Sequence, residues 1–173
     1  MKDSTLDSRW EKVANEMRQR SMWMLHYCTG CGAIELPPTM TARWDMERFG
    51  ITPFVTPRQA DILLVTGYVA LKTLRRIVTI YEQMPDPKYV VGFGSCTING
   101  GIYWDSYNVI KKLEHYIPID LYIAGCMPRP ESIISGFEKL MDIIKTGKAT
   151  GWKKYIENND YYKTNQRTVL GEK

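Results

Sequence analysis

The chain has 173 residues, enough for one domain with a short appendage. Its 44% hydrophobic content is that of a globular protein with a buried core, and a formal net charge of +4 with no block of like charge argues against nucleic acid as a partner. The polar start Met1-Lys-Asp-Ser-Thr-Leu-Asp7 reads as no secretory leader, and the longest nearly uncharged apolar run, Ile62 to Leu71, stops at Lys72, short of the roughly 20 residues that a membrane span needs.

Residues 8–20 read as a polar helix, capped by Ser8 with Glu11 completing a capping box. Trp10, Val13 and Met17 recur at helical spacing as a narrow apolar stripe, suited to anchor on a neighbouring surface. Residues 22–27 form an apolar strand that leads into Cys28-Thr-Gly-Cys31, and the double proline at 37 and 38 is expected to end any helix begun after Cys31. From Thr39 to Pro57 the mixture of aromatics, methionines, arginines and prolines reads as a long ordered loop with a short helix at 43–49. The pattern then becomes regular: strand 62–66 ending at Gly67, helix 69–83 stopped by Pro85 and Pro87, strand 88–93, helix 104–115, strand 119–124 and helix 130–146. Short uncharged runs, apolar on both faces, call for strands covered on both sides, and right-handed crossovers then build a parallel α/β sheet with helices on both faces. Beyond Thr150 the tail is polar and aromatic, with Trp152, Tyr155, Tyr161 and Tyr162, and reads as an arm that orders on a partner.

The four cysteines, Cys28, Cys31, Cys96 and Cys126, each end or follow one of these strands. Parallel strands therefore carry all four to the carboxyl edge of one sheet, where open α/β sheets hold their ligands. Four thiolates there suit a metal or iron–sulfur site, and Gly30, Gly32, Gly94 and Gly125 let the backbone approach it closely. Other readings stay open at this point. Structural zinc takes four cysteines, although usually as two close pairs, whereas Cys96 and Cys126 stand thirty positions apart. A redox pair at Cys28 and Cys31 leaves the other two without a role, structural disulfides suit a smaller secreted domain, and any single cysteine could be inert packing. His26 reads as packed and His115 as solvated; no Ser-His-Asp order and no phosphate loop is present, and Gly92-Phe-Gly94 is too short for a dinucleotide fingerprint.

Six runs in order carry a resemblance: Cys28-Thr-Gly-Cys-Gly-Ala-Ile-Glu35, Trp44-Asp-Met-Glu-Arg-Phe-Gly50, Pro57-Arg-Gln-Ala-Asp61, Tyr81-Glu-Gln-Met-Pro-Asp-Pro-Lys88, Gly94-Ser-Cys-Thr-Ile-Asn-Gly-Gly101 and Gly125-Cys-Met-Pro-Arg-Pro-Glu131. Together, over about residues 20–146, they resemble the small iron–sulfur subunit of respiratory complex I, the 20 kDa subunit, and its relatives. The resemblance implies a flavodoxin-like fold and one [4Fe–4S] cluster on Cys28, Cys31, Cys96 and Cys126, the last in an electron chain fed by ferredoxin-derived clusters. It also implies three kinds of partner: a large catalytic subunit of the hydrogenase or complex I 49 kDa type, a ferredoxin-like iron–sulfur subunit, and membrane-arm subunits that hold the chain at the cytoplasmic side of the membrane. Complex I proper has two adjacent cysteines where this chain has Cys28 and Cys31 separated by Thr29-Gly30. That spacing is similar to nickel–iron hydrogenase small subunits, and the mixture of features is most similar to small subunits of archaeal membrane-bound sulfane sulfur reductases. Sulfane sulfur or polysulfide is then the expected acceptor, with quinone or protons as alternatives and a zinc-stabilised structural subunit as the reading from a different class.

Around such a cluster, Arg48, Arg58 and Arg129 are candidate cations, unless each only pairs with Glu47, Asp61 or Glu131. Glu35 is a candidate for a redox-linked proton or for a helix cap. Met40, Trp44, Met46 and Phe49 form an apolar set that could line a substrate cavity or pack at an interface. The expected organisation is an amphipathic arm at 1–20, an iron–sulfur α/β domain at 21–147 and a partner-binding tail at 148–173.

Overall fold

The computed structural model describes residues 4–171. The first three residues of the N-terminal arm and the last two of the tail lie outside the described residues. Five parallel strands, β1 (Met22–Cys28), β2 (Ile51–Phe54), β3 (Ile62–Thr66), β4 (Tyr89–Phe93) and β5 (Leu121–Ile123), form one sheet in the order β2-β1-β3-β4-β5. This is the flavodoxin-like order, whose switch point lies between the first and third strands. The register sets Cys28 beside Thr66, Thr66 beside Phe93, and Phe93 beside Ile123. The carboxyl ends of four strands therefore finish level.

Alternation along each strand divides the core in two. Met22, Met24, Ile62, Leu64, Tyr89, Val91 and Phe93 face one side and pack with Leu36 of α2 (Gly32–Met40) and with Ile133, Phe137, Leu140 and Ile144 of α5 (Pro130–Lys145). Leu25, Leu63, Val65 and Val90 face the other side, against Leu74, Ile77, Val78 and Tyr81 of α3 (Leu71–Gln83). Each such side chain contributes about 1.5–3 kcal/mol by leaving water. The stripe of α1 (Ser4–Arg18) faces outward, with Trp10 and Met17 each 68% exposed, while Glu16 reaches Lys145 of α5 at 3.5 Å.

The structure departs from the expected elements at five places. Ser8 lies inside α1, a full turn beyond its first residue Ser4, and so is not the cap position. Pro37 and Pro38 lie within α2, which continues to Met40; Thr39 and Thr41 tighten its end by donating their hydroxyls to the Glu35 and Pro38 carbonyls at 2.7 Å. The supposed long loop contains β2, whose Pro53 is tolerated because this strand is the sheet's edge and pairs only with β1. The helix expected at 104–115 does not form: α4 (Ser95–Asn99) is short, and Asn108 to Ile110 run extended, the Asn108 carbonyl accepting Leu71 N–H at 3.0 Å and Ile110 N–H reaching the Val69 carbonyl at 2.7 Å. Tyr107, counted in the helical periodicity, is 97% exposed.

The fifth departure is the tail, which folds as α6 (Gly151–Glu157) and α7 (Asn159–Leu170) against α3 of its own chain. Tyr155 is buried there, Gln166 donates to the Tyr116 carbonyl at 2.7 Å, and Lys163 pairs with Glu82. Asp120 pins the start of α6 to the sheet: its carboxylate accepts Val90 N–H at 2.9 Å and Gly151 N–H at 3.0 Å. Among the described residues no helix is long and apolar enough to cross a membrane.

Candidate metal centre

Three loops at the carboxyl edge present the cysteines. Cys28 is the last residue of β1 and is exposed; its Sγ donates to the Gly30 carbonyl at 3.2 Å. Cys31, partly buried, precedes α2, and its carbonyl accepts the amides of Ile34 and Glu35 at 3.0 and 3.3 Å. Cys96 is buried in α4, just beyond the end of β4. Cys126 is exposed in the loop between β5 and α5. The Cys96 and Cys126 loops are stapled together, because Ser95 N–H and its hydroxyl donate to the Gly125 carbonyl at 2.8 and 3.2 Å. Glycine is required where backbone meets sulfur: Gly101 has φ +54, and a β-carbon there would stand 2.9 Å from the Cys96 Sγ.

All four cysteines are free. Burial pushes the Cys31 thiol up, and Cys126, Cys28 and Glu35 push it further against a backbone hydrogen bond. Burial likewise raises the Cys96 thiol, with Cys31 and Cys126 adding to it. The sulfurs thus share one electrostatic neighbourhood, and a cationic centre among them would relieve their mutual repulsion as it displaced their protons. Among the described residues no three His, Cys, Asp or Glu side chains are grouped as they would be around a single metal ion. An iron–sulfur cluster takes one thiolate on each of several irons and so spans a wider ring. The donor set, four unpaired thiols with glycine-lined backbone between them, fits such a cluster.

The other candidate residues divide between the two ends of the sheet. Glu35, partly buried in the first turn of α2, stands near Cys31, and α2 has no side-chain cap. Arg129, exposed, precedes α5 just beyond Cys126. Arg48 and Phe49 come immediately before β2, whose first residue pairs with Met22 at the amino end of β1. That end lies roughly 20 Å from the cysteines by strand rise. Arg48 lies over the Phe49 ring at 4.9 Å, which removes it as a cation beside the cluster. Arg58 is exposed in the short turn Pro57–Gln59, which precedes the amino end of β3. Met40, Trp44, Met46 and Phe49 belong to the amino end as well, where Met46 is fully buried in the core and Phe49 lines a groove with Arg20 and Met141.

What sequence reasoning missed is an apolar collar around the cysteines: Ile34, Tyr68, Ile102, Tyr103, Trp104 and Met127 are all exposed. They are scattered along the chain, and no local pattern in the sequence marks them as one patch. Also unforeseen, His26 Nε2 meets Thr66 Oγ1 at 2.8 Å beneath the first loop, and burial lowers its imidazole pKa.

Residues 28–140 match the family model described as NADH ubiquinone oxidoreductase, 20 Kd subunit. The B subunit of the NADH-quinone oxidoreductase of Chlorobium phaeobacteroides is 43% identical over 145 residues, 83% of this chain and 77% of that protein. The K subunit of the chloroplastic NAD(P)H-quinone oxidoreductase of Pelargonium hortorum is 37% identical over 171 residues, 98% of this chain and 75% of that one. A protein in the solved structure of the membrane-bound sulfane sulfur reductase, an archaeal respiratory membrane complex, superposes with a TM-score of 0.90 at 59% identity, covering 94% of this chain and 92% of its own length.

Proposed function

The chain belongs to the family of the NADH ubiquinone oxidoreductase 20 kDa subunit, and on that premise we propose that it is the electron-transfer subunit carrying the terminal [4Fe–4S] cluster of a membrane-bound, complex I-related oxidoreductase. The observation that carries this reading is the convergence of four free cysteines at the level carboxyl ends of β1, β4 and β5. Cys28, Cys31, Cys96 and Cys126 hold the cluster as thiolates. When bound, such a group accepts and donates single electrons, at a potential anywhere within about −700 to +450 mV depending on its surroundings.

The chain's own residues set those surroundings. Burial of Cys96 and Phe93 keeps water from the sheet side of the site. Glycine-rich turns bring backbone amides toward the sulfurs, where they favour the more negative state. Arg129 adds a cation at the same edge, and Glu35 adds a carboxylate whose charge acts on Cys31. The exposed collar needs a covering subunit, since apolar patches of this kind mark protein contacts. We assign it to the large catalytic subunit, with a ferredoxin-like subunit delivering electrons and membrane-arm subunits anchoring the assembly at the cytoplasmic face. The outward stripe of α1 is a second partner surface, and the exposed side of the C-terminal helices a third.

Sulfane sulfur or polysulfide is the proposed acceptor. The 59% identity to a protein of the archaeal sulfane sulfur reductase supports it, as does the Cys28–Cys31 spacing. The test is an acceptor competition on the purified complex, driven by reduced ferredoxin. Sulfide release from a short polysulfide, outpacing quinone reduction and hydrogen evolution, is expected; quinone reduction with no sulfide would overturn the acceptor.

A further inference from the structure

We infer that the Gly67–Tyr68 turn after β3, which bears no cysteine, sets the spacing between the Cys28–Cys31 loop and the Cys96 loop, with Thr29 and Tyr68 as positioning residues. The inference rests on the cluster reading above and adds to it two residues that ligate nothing. It starts from the extra pair, Thr29-Gly30, that separates the first two cysteines.

Thr29 is bound to the turn at three points. Its N–H donates to the Thr66 carbonyl at 3.1 Å, its hydroxyl donates to the same carbonyl at 3.1 Å, and the hydroxyl is shared with the Tyr68 carbonyl. The backbones are apposed so closely that a β-carbon on Gly67 would stand 2.6 Å from the Gly30 nitrogen and 2.8 Å from the Thr29 carbonyl carbon. Gly67 is buried with φ +80, a conformation that other residues adopt only under strain. From the other side of the turn, the Tyr68 ring packs edge-on against Tyr103 at 5.0 Å. Tyr103 ends the short turn Gly101–Tyr103, whose first glycine leans on the Cys96 sulfur. One continuous path of contacts therefore runs from between Cys28 and Cys31, through the Thr29 hydroxyl and Tyr68, to the back of Cys96. The remaining loop is fixed independently, by Ser95 on the Gly125 carbonyl.

The path has a chemical consequence. A cluster binds tightly only if its thiolates already stand at the right separation, and groups that orient ligands matter nearly as much as the ligands themselves. The threonine hydroxyl is the adjustable part, because valine has the same shape and no donor. The experiment compares the purified complex carrying Thr29→Val, Thr29→Ser, Tyr68→Ala or Tyr68→Phe with the unaltered complex. Readouts are the EPR g-values of the cluster, its midpoint potential, and the rate of iron loss to a chelator; the melting temperature monitors folding. Thr29→Val and Tyr68→Ala are expected to shift the g-values and speed iron loss on the order of tenfold. Thr29→Ser and Tyr68→Phe, which keep the hydroxyl and the ring, are expected to match the unaltered complex. Should Thr29→Val not fold, Tyr68→Ala against Tyr68→Phe decides alone, since Tyr68 is exposed at the surface. Unchanged g-values and iron-loss rate in Tyr68→Ala and in any folded Thr29→Val overturn the inference. Absence of a reducible signal from these cysteines in the unaltered complex overturns instead the cluster reading on which it rests.

Discussion

Cys96 and Cys126 follow neighbouring strands and are joined by Ser95, yet they sit in opposite surroundings: one is buried in α4 and the other faces solvent. Residues around them matter by position, and position separates the arginines. Arg129 follows Cys126 closely, whereas Arg48 sits at the far end of β1 on Phe49. Arg129→Met is expected to lower the midpoint potential in a redox titration, because a nearby cation favours the reduced centre. Arg48→Met is expected to leave it unchanged; a shift of equal size from both would show that the charges act through the whole field rather than locally. Met46 is a core residue, and Met46→Ala should cost about 2–5 kcal/mol in denaturant unfolding with no change in the cluster signal. The cysteines were legible because their strands and spacing are local features of the sequence. Arg48 was misplaced because a residue in a motif close to the cysteines in sequence can be carried by an intervening helix to the other end of the sheet.

Elements were legible where burial alone shapes them. β3 and β4, covered on both faces, and α3 and α5, with one buried stripe each, fall within two residues of their expected bounds. The misses share a different cause: contacts from outside the segment override the local pattern. β2 forms around Pro53 because the edge position asks for no inner hydrogen bond, and the stretch 108–110 is drawn out to bond Val69 and Leu71. Asp120 is another such contact. Asp120→Asn leaves one acceptor where two N–H groups need one each, so a loss of about 1–3 kcal/mol is expected, with hydrogen exchange fastest in α6 and α7. Burial raises the Asp120 carboxyl above its ordinary value despite those bonds, so the folded chain holds this proton more tightly than the unfolded chain. Its contribution is full below the ordinary carboxylate value and is lost as pH rises through the folded value, so the advantage over Asp120→Asn should narrow across that window in paired melts. At the switch point, Gly67→Ala must both adopt φ +80 and push Gly30 away. About 1–2 kcal/mol of strain is expected, together with reduced iron occupancy; full occupancy at unchanged stability would contradict the close apposition.

The assembled molecule adds what no segment contains. The strand order makes Cys28, Thr66, Phe93 and Ile123 finish in one line, and the cysteine loops then meet above it. Parallel topology and its carboxyl-edge site could be inferred from alternating elements, but the apolar collar could not, because its members are scattered from Ile34 to Met127 and only the sheet gathers them. The tail could not be placed either: its aromatics were read as awaiting a partner, while Tyr155 and Tyr162 are partnered by α3 and by each other. The collar at the cysteine edge and the α1 stripe beside α5 are two separate exposed apolar surfaces. The decisive measurement is iron and acid-labile sulfide, with low-temperature EPR before and after reduction, on the anaerobically purified complex and on the same complex carrying Cys126→Ser. About four iron and four sulfide per copy of this chain beyond those of the ferredoxin-like subunit, and a reducible signal that the substitution alters or abolishes, are expected. About one zinc per chain, with no sulfide beyond that of the ferredoxin-like subunit and no signal that Cys126→Ser changes, would contradict the electron-transfer role.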